Sequence, residues 1–470
     1  MARILTLMSS SRTVTVGIDI GTTSVKALAV DDDGTVLSRA RVPHPVLSPV
    51  PGAFEHDIDV AWRHGVVAAL TEVAAGHEVV GVNVAAMVPS LGAVDRDGRG
   101  CSPGLLYGDH RGRSEANRPE EAGDSGELLA FLHWLTRHAP EAAGFWPAQA
   151  VANHALCGIG AIDSATAMTA MPLFDMTGWD ADLAAAAGTD PHALPAIAGG
   201  TTAVGQVLED LPAAGAPVGG GTIDALGEQV VAGADRSGDV LVICGGTLIT
   251  WAVVDDWQTV PGLWTVPHTA RGKVLVGGPS TAGGMFIDRV HRWLGTAVQA
   301  ELAPLAPDDL PIWLPYVRGE RTPLHRPDLR AELHGAALHH ETDHLRRAAY
   351  EAAGFVVRHD LDLAASTGCR PQRLVATGGG SRSTHWMQAL ADATGLPVDV
   401  VAVSEGAALG AAFMARCTAG LEGSMTDARR WARIARRIEP DPTWREATEQ
   451  RYERFRVLTA EAVARPAVQP

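Results

Sequence analysis

Asp224 stands in Gly219-Gly220-Gly221-Thr222-Ile223-Asp224-Ala225-Leu226-Gly227, a run that follows a short predicted strand and leads into a helix. A carboxylate so placed can take the proton of a hydroxyl that attacks phosphorus. Phosphoryl transfer asks a protein for that acceptor, for positioning and for charge neutralisation. The acceptor needs no special basicity, because the proton leaves late, as the alcohol bonds to phosphorus. The same context suits an aspartate that caps a helix, and the residue alone leaves both readings open.

Two glycine-tipped turns could serve the phosphate side of such chemistry. Gly21-Thr22-Thr23 separates the apolar runs Val14–Ile20 and Val25–Val30, which reads as a β-hairpin. Gly245-Gly246-Thr247 does the same after Val240–Cys244, and the stretch from Gly245 to Asp256 lies over Gly21 to Asp32 at a constant offset. Both tips offer backbone N–H groups and a threonine hydroxyl to phosphate oxygens. Asp19, before the first tip, adds a carboxylate suited to a hydrated Mg²⁺; its counterpart before the second is Ile243. Two ordinary hairpins with turn-forming glycine and threonine are the plainer alternative.

A third glycine run, Thr377-Gly378-Gly379-Gly380-Ser381-Arg382, follows the apolar strand Leu374–Ala376 and precedes a helix around Trp386–Thr394. Its glycines allow backbone to approach a ligand, and the helix start favours an anion, which suits the ribose or phosphates of a nucleotide. The acidic residue of a dinucleotide fingerprint is missing from the expected place. Tyr107-Gly108-Asp109-His110-Arg111 brings a carboxylate and a guanidinium that fit sugar hydroxyls, or a surface ion pair. His340-Glu341-Thr342-Asp343-His344 satisfies the zinc-protease pattern H-E-x-x-H, but Glu341 and Thr342 read as the start of a helix carrying Leu345–Phe355, which makes the match a coincidence.

Lysine is almost absent: only Lys26 and Lys273 occur, and neither lies in a Walker P-loop or a protein-kinase lysine context. Any nucleotide chemistry therefore needs a scaffold without those lysines. The formal charge of −16 disfavours nucleic acid and anionic lipid as partners. The Arg-rich stretch Arg429–Arg437 reads as a solvated helix face. Five cysteines without a CxxC pair argue against a disulfide framework or a zinc ribbon. No run resembles a secretory signal or a membrane span, so a cytoplasmic protein is expected.

These residues need rigid elements to hold them. At 470 residues two domains are expected, and 46% hydrophobic with 20% charged residues is a globular profile. Helical runs (Val60–Ala75, Glu127–His138) alternate with short strands (Val79–Val84), which points to an α/β layered fold. The repeated hairpin predicts two related halves, residues 12–235 and 236–460, with a cleft between them.

Together the motifs resemble the FGGY family of carbohydrate kinases. The resemblance runs from about Val14 to Leu458 and rests on Gly17-Ile18-Asp19-Ile20-Gly21-Thr22-Thr23, Gly219–Gly227, Gly277-Gly278-Pro279-Ser280, Gly319-Glu320-Arg321-Thr322-Pro323 and Thr377–Arg382, in that order. It implies two actin-like (ribonuclease-H-like) ATPase domains with an interdomain catalytic cleft, and an ATP- and Mg²⁺-dependent sugar kinase. By position it implies Asp224 as catalytic base and Asp19 as the carboxylate near Mg²⁺. Gly21, Thr22, Thr23, Gly245, Gly246 and Thr247 would face the phosphates; Gly378, Gly379, Gly380 and Arg382 would line the nucleotide pocket. Asp109 and Arg111 match the family's W-x-D-x-R sugar segment, with Tyr107 in place of the tryptophan. Where xylulokinases carry Q-M-H-G, this chain reads Met87-Val88-Pro89-Ser90, so Met87 is expected at the sugar without the usual histidine. A small sugar, most readily a ketopentose, is the expected acceptor; a catalytically weak sugar sensor on the same scaffold is the alternative. A homodimer is left open.

Overall fold

The first apolar run forms strand β1 (Arg12–Ile20), here in a computed structural model that describes residues 12–112, 127–269, 272–297 and 300–466. β1 is buried along most of its length because it is paired on both sides. Strand β2 (Ser24–Val30) returns antiparallel beside it and strand β3 (Val36–Pro43) continues the meander, with Asp31–Gly34 closing the turn between them. After strand β4 (Glu55–Asp57) and a helix ending at Ala74, strand β5 (His77–Ala86) runs parallel to β1 on its other side. Strand β6 (Pro103–Leu106) pairs with β4 in a smaller sheet, Glu55 opposite Leu105 and His56 opposite Gly104. The short strand β7 (Thr222–Ile223) lies on the far side of β5 and leads directly into helix α1 (Asp224–Ala232).

The alternation along β1 sorts its two faces. Val14, Val16, Ile18 and Ile20 join the core formed with Trp62, Val66 and Leu70. Gly17 points the other way, where a Cβ would come within 1.9 Å of the Ala408 carbonyl oxygen. Glycine there lets helix α4 (Gly406–Thr418) lie backbone to backbone on the sheet, with Ala407 and Ala411 against Ala85.

A second set of strands repeats the pattern. β8 (Asp239–Cys244) and β9 (Leu248–Val254) form the hairpin, β10 (Val274–Ser280) extends it, and β11 (Arg373–Thr377) runs parallel to β8, followed by β12 (Val398–Val401) and β13 (Ile434–Ile438). Helices α2 (Gly284–Leu294) and α3 (Thr342–Ala364) contribute Phe286, Ile287, Tyr350 and Phe355 to its core.

Two expectations change. The chain divides into Met1–Gly227 with Ala407–Trp431, and Glu228–Gly406 with Ala432–Pro470. The division therefore falls inside α1 rather than at 235/236, and residues 407–431 return to the first unit, where their small side chains fit the β1 face. The Arg-rich stretch is an exposed helix face only at Arg429 and Arg430: a 3₁₀ helix ends at Trp431 and β13 follows, an edge strand paired with β12 whose Arg437 is ion-paired to Asp399 at 3.2 Å.

Candidate functional site

The first unit brings the two chemically loaded aspartates onto one sheet. Asp19 is paired with Ala85 across β1 and β5, and Ala85 is paired with Thr222 of β7, two residues before Asp224. Both carboxylates thus leave the carboxyl ends of parallel strands, the place where ligands gather in α/β sheets. Asp224 opens α1, and its Oδ1 accepts the Ala225 N–H at 2.7 Å. Asp19 is buried, and Lys26, directly opposite it on β2, donates to its Oδ2 at 3.0 Å. Lys26 drew no role from the sequence; counting outward from the Gly21–Ser24 turn would have placed it against Asp19. A carboxylate held in this way beside a Gly-Thr-Thr turn fits the donor set of a cation that keeps most of its waters, as Mg²⁺ does.

The tip itself is closed by Gly21 N–H to the Ser24 carbonyl at 3.1 Å, and His44 N–H reaches the Thr23 carbonyl at 3.1 Å. The Thr22 hydroxyl shares a hydrogen bond of 2.8 Å with the Tyr107 hydroxyl.

The expected sugar segment is built differently from its reading. Asp109 is fully buried, and its carboxylate accepts from Phe54 N–H at 2.6 Å, Arg111 N–H at 2.9 Å and the Arg111 guanidinium. It therefore holds Arg111 and does not face outward. Arg111 is also paired with Glu55 at 2.6 Å and lies over the Trp134 ring, and its two acidic neighbours hold it firmly charged against the opposing pull of burial. Met87 likewise departs from expectation. Only 2% of it is exposed, and it belongs to the apolar core with Val94 and Leu106, because its N–H prolongs the β1 pairing by bonding to the Ile20 carbonyl.

The second unit assembles the other glycine motifs. The Gly245–Thr247 tip closes one residue sooner than the first, Gly245 N–H to the Thr247 carbonyl at 3.1 Å, so Cys244 pairs with Leu248 and Ile243 with Ile249. The counterpart of the Asp19–Lys26 ion pair is an isoleucine pair. The start of α2 supports this tip, with Gly284 N–H on the Gly245 carbonyl at 2.8 Å. Beside it β11 places Thr377 next to Ile243, and Gly378 turns with φ +81°, where a Cβ would sit 3.0 Å from the Cys244 carbonyl. The loop to Arg382 is braced by Arg436, which donates to the Ser381 carbonyl at 3.0 Å. Two further motifs meet: Ser280 Oγ donates to Glu320 at 2.7 Å, and the Thr322 hydroxyl donates to the Pro279 carbonyl at 2.7 Å. Glu320 also accepts Thr281 N–H, yet burial outweighs these bonds and pushes its carboxyl up to about 7.

The H-E-x-x-H segment straddles a helix start. Glu341 is the N-cap of α3 in a capping box with His344. His340 Nδ1 accepts Ala337 N–H and His344 Nδ1 accepts Glu341 N–H, both at 3.0 Å, which leaves the ring protons on Nε2. Those protons point at Asp309, which also takes His339 Nε2 at 2.8 Å. Asp309, His339 and His340 are close enough to share an ion, but a metal-bound imidazole donates through its other nitrogen, and the other nitrogen of His340 accepts.

The N-terminal domain of the FGGY family of carbohydrate kinases matches residues 14–231, and the C-terminal domain matches residues 285–419. A xylulose kinase of Streptomyces rubiginosus is 30% identical over 89% of this chain and 91% of its own. A probable L-xylulose kinase of Pasteurella multocida is 26% identical, over 94% of this chain and 98% of its own. The crystal structure of xylulose kinase from Rhodospirillum rubrum superposes with a TM-score of 0.76 at 28% identity, covering 95% of this chain and 98% of that one. Fold and matches define an ATP-dependent sugar kinase of the actin-like (ribonuclease-H-like) ATPase class. This chain belongs to the FGGY family of carbohydrate kinases. Among the described residues, no helix is long and apolar enough to cross a membrane.

Proposed function

We propose that the enzyme phosphorylates a primary hydroxyl of a small open-chain sugar of the ketopentose class, with Asp224 as the base. The sugar oxygen bonds to the γ-phosphorus, the bond from phosphorus to the β,γ-bridging oxygen breaks, ADP leaves, and the hydroxyl proton passes to Asp224. The observation that carries this reading is the placement of Asp224 at a helix start, in register with Asp19 through a single intervening strand. Mg²⁺, held through its waters by Asp19, would neutralise charge on the transferring phosphate. Thr22 and Thr23 of the first tip, with Gly245, Gly246 and Thr247 of the second, would face the phosphates. Gly378, Gly379, Gly380 and Arg382 would line the nucleotide pocket. Arg111, held by Asp109 and Glu55, would reach the sugar.

Support for a ketopentose comes from relatives named xylulose kinase and L-xylulose kinase. Met87-Val88-Pro89-Ser90 stands where the resemblance to xylulokinases implies Q-M-H-G, with Pro89 in the place of the histidine, so the choice among pentuloses would be this chain's own. The test is ADP release across pentuloses, hexuloses and polyols. Turnover confined to hexuloses or polyols overturns the sugar class, and unimpaired turnover by Asp224→Asn overturns the base.

A further inference from the structure

We propose that His56 and Tyr107 are positioning residues that clamp Thr22 by its carbonyl and its hydroxyl, so that the β4–β6 ribbon ties the acceptor segment to the phosphate-facing tip. The functional half of this inference rests on the reading of that tip given above.

The direction of each bond follows from chemistry. Indole nitrogen only donates, and Trp62 Nε1–H points at His56 Nδ1 at 3.0 Å. His56 Nδ1 is therefore an acceptor, its proton sits on Nε2, and Nε2–H donates to the Thr22 carbonyl at 2.8 Å. His56 and Trp62 are both fully buried, and burial holds the imidazole down at about 4, so it stays neutral and keeps this tautomer. A second proton would have to enter on Nδ1, against the indole N–H.

The Tyr107 hydroxyl completes the clamp at Thr22 Oγ1, 2.8 Å away. With tyrosine donating, the Thr22 O–H is left to point at a phosphate oxygen. Both grips come from one ribbon, since His56 lies on β4 and Tyr107 directly follows β6. The same ribbon carries Glu55, which binds Arg111 at 2.6 Å. A shift of Arg111 is thus passed to Thr22 through paired backbone, without a flexible loop between them.

The experiment compares His56→Leu, His56→Gln and Tyr107→Phe with the parent enzyme, by hydrogen–deuterium exchange of the peptide containing Gly21 and by steady-state kinetics on xylulose. Leucine removes both ring nitrogens and should speed exchange of the tip about tenfold or more, the scale of one lost buried hydrogen bond. It should lower kcat by a similar factor while the KM for sugar moves less than about threefold. Glutamine can offer N–H to Thr22 and oxygen to Trp62, and should restore both readouts. Phenylalanine at 107 should give the intermediate case, and it serves with the glutamine variant if the leucine variant fails to fold.

Unchanged tip exchange in His56→Leu, or a glutamine variant as impaired as leucine, overturns the clamp. Tip exchange that responds in a parent enzyme without phosphotransfer on any sugar leaves the clamp standing and sinks only the kinase reading of the site.

Discussion

Asp19 and Asp224 emerge at the carboxyl ends of parallel strands of one sheet, linked in register through Ala85. Two interstrand spacings of ~4.8 Å put the strands that carry them about 10 Å apart. That span suits one carboxylate beside a hydrated cation and another beside an acceptor hydroxyl, with a phosphoryl group between. In the second hairpin the place of Asp19 is taken by Ile243, and the residue opposite it is Ile249 where the first hairpin has Lys26.

Asp224→Asn keeps the size of the side chain and removes the proton acceptor. It is expected to lower kcat by about 10²–10⁴ while ATP still binds. Coupled ADP release and calorimetric ATP titration measure the two effects separately, and parallel losses in both would count against the assigned role.

Asp19→Asn should shift the Mg²⁺ requirement. With a neutral amide beside Lys26, half-saturating Mg²⁺ is expected to rise about 10–100-fold, the scale seen when metal-positioning groups are lost. A Mg²⁺ titration of initial rates reads this directly; an unchanged midpoint removes Asp19 from the cation site.

Gly378→Ala tests the nucleotide loop. Its backbone, φ +81° and ψ 172°, is a conformation essentially reserved to glycine and costs an alanine about 1–3 kcal/mol, and the new methyl presses on the Cys244 carbonyl at 3.0 Å. The expected result is a KM for ATP raised about tenfold, since 1.4 kcal/mol is a factor of ten, with the KM for sugar little changed.

Glu320 makes stability depend on pH. Its carboxyl lies at about 7, above the ordinary glutamate value of 4.5, because burial disfavours the charged form. The folded protein therefore keeps a proton that the unfolded chain releases. This contribution is fully present below the ordinary value and is lost as pH rises towards 7. At about 1.4 kcal/mol per pH unit, the loss is on the order of 3 kcal/mol. Thermal unfolding of Glu320→Gln between pH 5 and 8 should lack that slope; parallel profiles for variant and parent would refute it.

Zinc is expected to wash out of the His339–His344 cluster. With backbone N–H groups on Nδ1 of His340 and His344, binding at Nε2 would strand those donors. Elemental analysis after zinc loading and gel filtration checks this, and a stoichiometric ion would overturn the tautomer assignment.

The amino-acid sequence alone determined the local elements and the family to which the chain belongs. The predicted β1–β2 hairpin, the Glu127–His138 helix and the strand–turn–helix around Asp224 all form nearly where the pattern places them. Hydrophobic periodicity and turn chemistry act within a few residues, so local order can be read along the chain. Tertiary structure decided who stands opposite whom. A tip one residue shorter moved Ile249 against Ile243, pairing beyond β5 drew Met87 into the core, and Arg111 consumed Asp109. The small face of α4 carried residues 407–431 back to the first unit, and His56 met Thr22 through a ribbon. Those outcomes depend on register and packing between segments far apart in the chain, where a shift of one residue turns a side chain to the opposite face.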